Sequence, residues 1–212
     1  GNAGPLAVSF ETFSRYQREN AWTWEHMALT RARVVTGPVG LRARLTQTIA
    51  AVLTTPRDPE KLRTVVADMR ARIVAQHHTV AGGEVKYVRG GMIDIQFLAQ
   101  YLMLRHAPER AEIIEQNTTG ALAWLGDAGF LDLAVARELI DAMKLWRRIQ
   151  GFIRLTTEGK FRVADAPHAL KVGLVRASYP EEAEGMTFAD CEARLRGTAA
   201  QVLDRVTAII GR

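Results

Sequence analysis

Asp94 stands where a carboxylate is expensive. It follows the pair Gly90-Gly91 and opens the run MIDIQFLAQYLML, which is apolar at nearly every position. At about 100° per residue of helix, Asp94 points the same way as Phe97, Leu98 and Tyr101, with Gln96, Gln100 and Met103 roughly opposite. Burying an unpaired carboxylate is costly. Asp94 is therefore expected to accept free N–H groups in the first turn, where the macrodipole favours it, or to meet a cation from another helix. The stretch AWTWEHMALTRARVV poses the mirror problem. There Arg31 falls within the face formed by Trp24, Met27, Ala28 and Val35, and Arg33 lies on another side near Trp22 and Leu29. Such a guanidinium either serves a carboxylate or phosphate or packs its stem and sends its head to water. Asp94 and Arg31 are each the only full charge on an apolar helical face, so Arg31 is the first candidate partner of Asp94.

Other chemistry is sparse. His77 and His78 are adjacent, with no carboxylate or cysteine at ligand spacing. They read as solvated rather than metal-binding. Trp124, Trp146 and Tyr101 read as core rather than as a stacking platform for bases. The chain holds no P-loop, nucleophile elbow, zinc signature or dinucleotide fingerprint. By motifs alone it contains no self-contained catalytic site.

The elements that must position these residues are helical. A short apolar, strand-like stretch, PLAVSF, stands alone at the start. Helices are expected over 10–20 and 22–35, the second stopped by Gly37-Pro38. Leu41, Leu45, Ile49 and Leu53 recur every fourth residue. Asp58-Pro59 reads as an N-cap with proline at the first helical position, followed by a stripe of Leu62, Val65, Val66, Met69 and Ile73. A glycine-punctuated connection leads to the helix that carries Asp94. A short helix ending near Gly126 or Gly129 comes next, then a long one from about Asp132 carrying Leu139, Met143, Trp146, Ile149 and Ile153. Pro167 begins a further short helix. The last spans 187–210, where Thr187 and Asp190 resemble a capping box. The fold class is all-α, a multi-helix bundle.

Composition bounds the partners. The chain has 212 residues, 48% hydrophobic and 24% charged, which is globular rather than disordered. Its 28 basic and 23 acidic residues give a net charge of +5 without one dense basic run, which does not favour nucleic acid as the partner and is compatible with a smaller anionic one. Cys191 is the only cysteine, which excludes an internal disulfide and fits a reducing cytoplasm. No apolar run reaches the roughly 18 residues a membrane span needs. The chain opens GNAGPLAVSF without an initiating Met, which reads as a piece of a longer polypeptide.

Two stretches carry a resemblance. FETFSRYQRENAWTWEHMALTRARVV and VKYVRGGMIDIQFLAQYLMLRHA closely resemble the bacterial glutamine synthetase adenylyltransferases, also called glutamate–ammonia-ligase adenylyltransferases. The pattern Y-Q-x-x-x-A-W-T-W-E-H-x-A-L-x-R-A-R occupies 16–33, and G-G-x-x-D-I-[EQ]-F occupies 90–97. The wording resembles the C-terminal, adenylylating half of that enzyme, and PII uridylyltransferase is a more distant match. Members join a nucleotidyltransferase domain to a helical one. Their metal-binding aspartates come from a G-S-x-x-D-x-D motif and from a later strand before an R-L-R-P-S-G-like turn, neither of which is present here. GNAGPLAVS resembles the segment immediately after that turn. The resemblance thus implies that 1–9 is the tail of the nucleotidyltransferase domain and 10–212 the helical C-terminal domain. Glu25, Gly90, Gly91, Asp94 and Gln96 are its structural motif residues, with Gln96 where the family usually has Glu. It further implies a parent that moves AMP from ATP to a tyrosine of glutamine synthetase and reverses this, using Mg2+ and ATP bound by the other domain. This segment would be inactive alone, would wall the active cleft with Arg31, Arg33 and Lys86 as cleft cations, and would hold no metal or cofactor of its own. Glutamine synthetase and the PII signal protein are the implied partners. A pure interaction module with no side chain reaching the nucleotide is the competing reading. A uridylyltransferase-like helical domain and a basic nucleic-acid binder are weaker ones.

Overall fold

The computed structural model describes residues 7–76, 86–157 and 166–211. Among these residues the regular elements are α1 (Phe10–Glu19), α2 (Thr23–Leu29), α3 (Val39–Leu53), α4 (Pro59–Gln76), α5 (Met92–His106), α6 (Thr118–Asp127), α7 (Leu133–Thr156), α8 (His168–Ser178) and α9 (Phe188–Ile210), with one 3₁₀ turn at Ala111–Ile113. The all-α expectation holds among the described residues.

Caps fix most of the starts. Ser9 Oγ accepts the Thr12 amide at 3.1 Å, so the residue just before α1 serves as its cap. Asp58 Oδ1 accepts the amides of Glu60 and Lys61 at 3.0 and 2.9 Å. Asp132 Oδ1 takes those of Ala134 and Val135 at 2.9 and 3.0 Å. Thr187 and Asp190 form the expected reciprocal box, with Asp190 N donating to Thr187 Oγ1 at 3.1 Å and Thr187 N to Asp190 Oδ2 at 3.2 Å. Each cap pairs amides that a helix start leaves without an intrahelical acceptor.

Helix α5 is the axis of the bundle. Ile95, Leu98, Tyr101 and Leu104 are fully buried on it, as expected of a helix apolar nearly all round. It packs against α2, α4, α6, α7 and α9. α6 and α7 form a hairpin, α8 and α9 close the far side, and α1 lies on α3 at the edge.

Three expectations change. α2 stops at Leu29 rather than at 35. Beyond it the Arg31 and Ala32 amides reach back only three residues, to Ala28 and Leu29, and the Thr30 hydroxyl donates to the Met27 carbonyl at 2.7 Å. The β-branched run Val34-Val35-Thr36 then favours extended chain. Trp124 is not core: it is 51% exposed, whereas Trp146 and Tyr101 are buried. Val65, on the expected stripe of α4, is 40% exposed, and a charged residue, Arg70, is buried on that helix instead. His77 and His78 lie outside the described residues.

Candidate functional site

The first motif holds a corner together. Tyr16 Oη donates to Glu25 Oε1 at 2.7 Å, and the Trp22 amide donates to Glu25 Oε2 at 2.8 Å. Glu25 thereby caps α2 and ties it to α1. His26 Nε2 lies 2.9 Å from the Gln17 carbonyl, which can only accept, so Nε2 carries the proton. Its Nδ1 is then free to accept from Arg57 Nη2 at 3.3 Å. Burial, with the Arg57 charge adding to it, holds the His26 imidazole below its usual value. Arg57 also donates to the carbonyls of Val52, Leu53 and Thr55 at the end of α3. Glu25 and His26 are therefore scaffold, one motif joining α1, α2 and α3.

The second motif is scaffold of a tighter kind. Asp94 is 4% exposed, but its partner is Arg70, not Arg31. Arg70 Nε and Nη2 donate to its two oxygens at 2.6 and 3.3 Å, and the Gly90 amide donates to Oδ2 at 2.6 Å. Arg70 Nη1 also reaches the Gly211 carbonyl at the end of α9, at 3.3 Å. The Gly90 carbonyl accepts from Trp146 Nε1 at 3.2 Å. Gly90 has φ +77°, and a Cβ there would sit 1.8 Å from the Ala199 carbonyl oxygen. Gly91 has ordinary extended φ, −85°, so the sharp turn belongs to Gly90. One buried ion pair and one glycine thus pin α4, α5, α7 and α9 together. Gln96 is half-buried, away from this pair.

Arg31 instead faces a groove of about 850 Å³ between α2, α4 and α5. Trp24, Met27, Met69, Ile73 and Phe97 form its apolar surface, and Arg31, Arg72, Gln76 and Gln100 supply polar groups. Arg31 and Arg72 are exposed and, among the described residues, make no ion pair. A second groove of about 530 Å³ shares Trp24, Met69 and Arg72 and continues past Trp22, Val65, Asp68 and Glu19. Arg33 and Lys86 line neither groove. Arg33 is exposed, and Lys86 Nζ sits 4.8 Å over the Tyr87 ring. The structure therefore brings together only Arg31 of the expected cations.

Sequence reasoning missed Arg70 and Arg72. Arg70 was findable, since Leu62, Val66 and Arg70 recur every fourth residue on α4, the same charge-on-an-apolar-stripe test that singles out Asp94. Arg72 carried no such signal, because its helix face is exposed.

The Glutamate-ammonia ligase adenylyltransferase family matches residues 1–48, and the GlnD PII-uridylyltransferase family matches residues 60–166. A bifunctional glutamine synthetase adenylyltransferase/adenylyl-removing enzyme of Rhodopseudomonas palustris strain TIE-1 is 39% identical over 211 residues, 100% of this chain and 21% of the relative. Proteins of the same description are 39% identical over 210 residues in Bradyrhizobium sp. BTAi1, 99% of this chain and 21% of the relative, and 39% over 202 residues in Xanthobacter autotrophicus Py2, 95% and 20%. The chain spans about a fifth of the length of the curated relatives it matches. It belongs to the glutamate-ammonia ligase adenylyltransferase family, as a segment of it, and its 60–166 region belongs to the family defined by GlnD PII-uridylyltransferase.

Proposed function

We propose that this chain is the C-terminal helical part of an enzyme that transfers AMP from ATP to a tyrosine of glutamine synthetase and, in the whole protein, removes it again. The observation that carries the reading is 39% identity over the whole chain to proteins of that description. In the transfer, the tyrosyl oxygen bonds to the α-phosphorus of ATP, pyrophosphate leaves, and the phenolic proton is released. The segment's part is to wall one side of the cleft and to offer docking surface. Arg31, whose head lies at the groove and makes no ion pair among the described residues, is the cleft cation the geometry favours over Arg33 and Lys86. Among the described residues no three His, Cys, Asp or Glu side chains converge to hold a metal. In this proposal Mg2+ and ATP belong to another part of the enzyme. Among the described residues no helix is long and apolar enough to cross a membrane; the location proposed here is the cytoplasm.

The test is AMP incorporation from labelled ATP into purified glutamine synthetase by the natural polypeptide that carries this segment, beside residues 1–212 alone. The long form should label the target and the segment should not. No labelling by the long form sinks the assignment. Labelling by the segment overturns its supporting role. The match of residues 60–166 favours a second reading, uridylyl transfer to the PII protein. Labelling of PII from UTP, with none of glutamine synthetase from ATP, would select it. In the first reading PII is a docking partner rather than the modified protein.

A further inference from the structure

The two grooves share Trp24, Met69 and Arg72, so they form one trough that crosses α2 and α4. Its exposed apolar groups are large: Trp22 is 71%, Trp24 52% and Val65 40% exposed. Contiguous aromatic and aliphatic surface of this kind, with methionine and arginine beside it, is the composition of a protein-binding face. The larger groove alone has the volume of a small-molecule pocket, and the trough runs on well past it. An elongated, apolar-floored trough bounded by helices suits a peptide segment rather than a mononucleotide. Met69, half-buried in the part that the two grooves share, lets the floor adapt to it.

Charge gives the occupant its character. At one end Arg31 stands with no acidic residue in the lining, and Arg72 lies at the junction of the two grooves. At the other the lining includes Glu19 and Asp68. Arg31 and Arg72 make no ion pair among the described residues, so their charge is available to a partner.

Resting on the adenylyltransferase reading above, we infer that this trough docks a segment of glutamine synthetase with apolar anchors and a carboxylate-rich end, the carboxylates lying against Arg31 at that end and reaching Arg72 at the junction of the grooves. The anchors pack over Trp24, Met69 and Phe97. The opposed charges at the two ends set the direction in which the segment lies, because reversing it would place carboxylates against Glu19 and Asp68.

The test is direct binding of purified glutamine synthetase from the same organism to the immobilised natural polypeptide, measured across a salt series. The double variant Arg31→Glu/Arg72→Glu should weaken binding by about tenfold or more at low salt and flatten its salt dependence. Trp24→Ala should weaken it at every salt concentration. Arg196→Glu makes the same kind of charge change on exposed surface of α9, outside the trough, and should leave affinity unchanged. Melting temperature checks that each variant folds, with Arg31→Gln/Arg72→Gln as the milder pair. Unchanged affinity in the arginine and Trp24 variants overturns the inference, as does an equal loss in Arg196→Glu or the absence of binding by the unaltered polypeptide. If another part of the polypeptide fills the trough instead, the arginine pair lowers the melting temperature and leaves affinity untouched, which also overturns it. AMP labelling is scored separately. Its failure sinks the functional reading, whereas labelling with unaltered affinity sinks only the docking surface.

Discussion

Replacing Asp94 by Asn should cost this domain a large part of its stability. The carboxylate and the Arg70 guanidinium are 5% and 4% exposed as side chains, so water cannot take over for either. Asn is nearly isosteric, and its amide oxygen can keep one donor. Its NH2 group, however, turns toward donors where a carboxylate oxygen had accepted, and the Arg70 charge stays buried without its counter-ion. Removing one member of a buried pair costs about 3–5 kcal/mol. At roughly 2–4 °C per kcal/mol for a domain of this size, the melting temperature should fall by about 6–20 °C. The full cycle separates the pair from its surroundings. Arg70→Met should cost a similar amount, because it strands Asp94 on the Gly90 amide alone. The double variant Arg70→Met/Asp94→Leu should recover much of the loss, since a well-packed apolar replacement of a buried pair is often neutral. Urea melts followed by circular dichroism give the four free energies, and a coupling near zero refutes the reasoning. So does a loss below about 1 kcal/mol in Asp94→Asn, the size expected of an ordinary neutral hydrogen bond.

Gly90→Ala should destabilise far more than Gly91→Ala, because only Gly90 has positive φ and faces the Ala199 carbonyl; equal melting temperatures would contradict the packing of α9 described above. Gln96→Glu should be tolerated within about 0.5 kcal/mol, as for partly exposed surface, since Gln96 lies away from the buried pair. Stability should fall on acidification below pH 6.5, the ordinary histidine value, because burial holds His26 and His106 below it in the folded protein. The unfolded chain then takes up protons that the folded one refuses. The dependence of melting temperature on pH should flatten in His26→Gln/His106→Gln, and an unchanged slope would exclude these rings as its source. Cys191 is fully buried, and burial pushes its thiol up, so it should resist iodoacetamide until the protein unfolds; native-state labelling at the rate of a free thiol would contradict its place in the core.

The helices were legible because local signals agree with one another. Asp58-Pro59, Asp132 and Thr187 each pair a capping side chain with a following apolar stripe, and each begins a helix. α2 is shorter than its pattern for a physical reason. Its apolar spacing continues through Val35, yet spacing says nothing of the β-branched run 34–36 or of the short-range turn at Thr30. Trp124 escapes the pattern for a related one, since an aromatic ring in a helical repeat does not state which side of its helix finds a neighbour. The buried state of Asp94 followed from its position, but its partner did not. Choosing Arg70 over Arg31 requires knowing which helix lies across α5, and that is long-range information.

The identity of the partner changes what the two motifs mean. With Arg31 on Asp94, both would be absorbed into the core and the groove would lose the cation just beyond α2. With Arg70 on Asp94, the work divides. Tyr16, Glu25 and His26 hold α2 at the corner of α1 and α3, while Arg70, Asp94 and Gly90 hold α5 against α4 and α9. Between these two clamps α2, α4 and α5 are fixed relative to one another, so Trp24, Arg72 and Gln100 are presented from their helices and Arg31 from the turn that closes α2. A binding surface gains affinity when its groups need little ordering on contact. The buried parts of both motifs are thus best understood through the open trough they support. Asp94→Asn should therefore weaken partner binding even at temperatures where the domain stays folded, although Asp94 itself never reaches the surface.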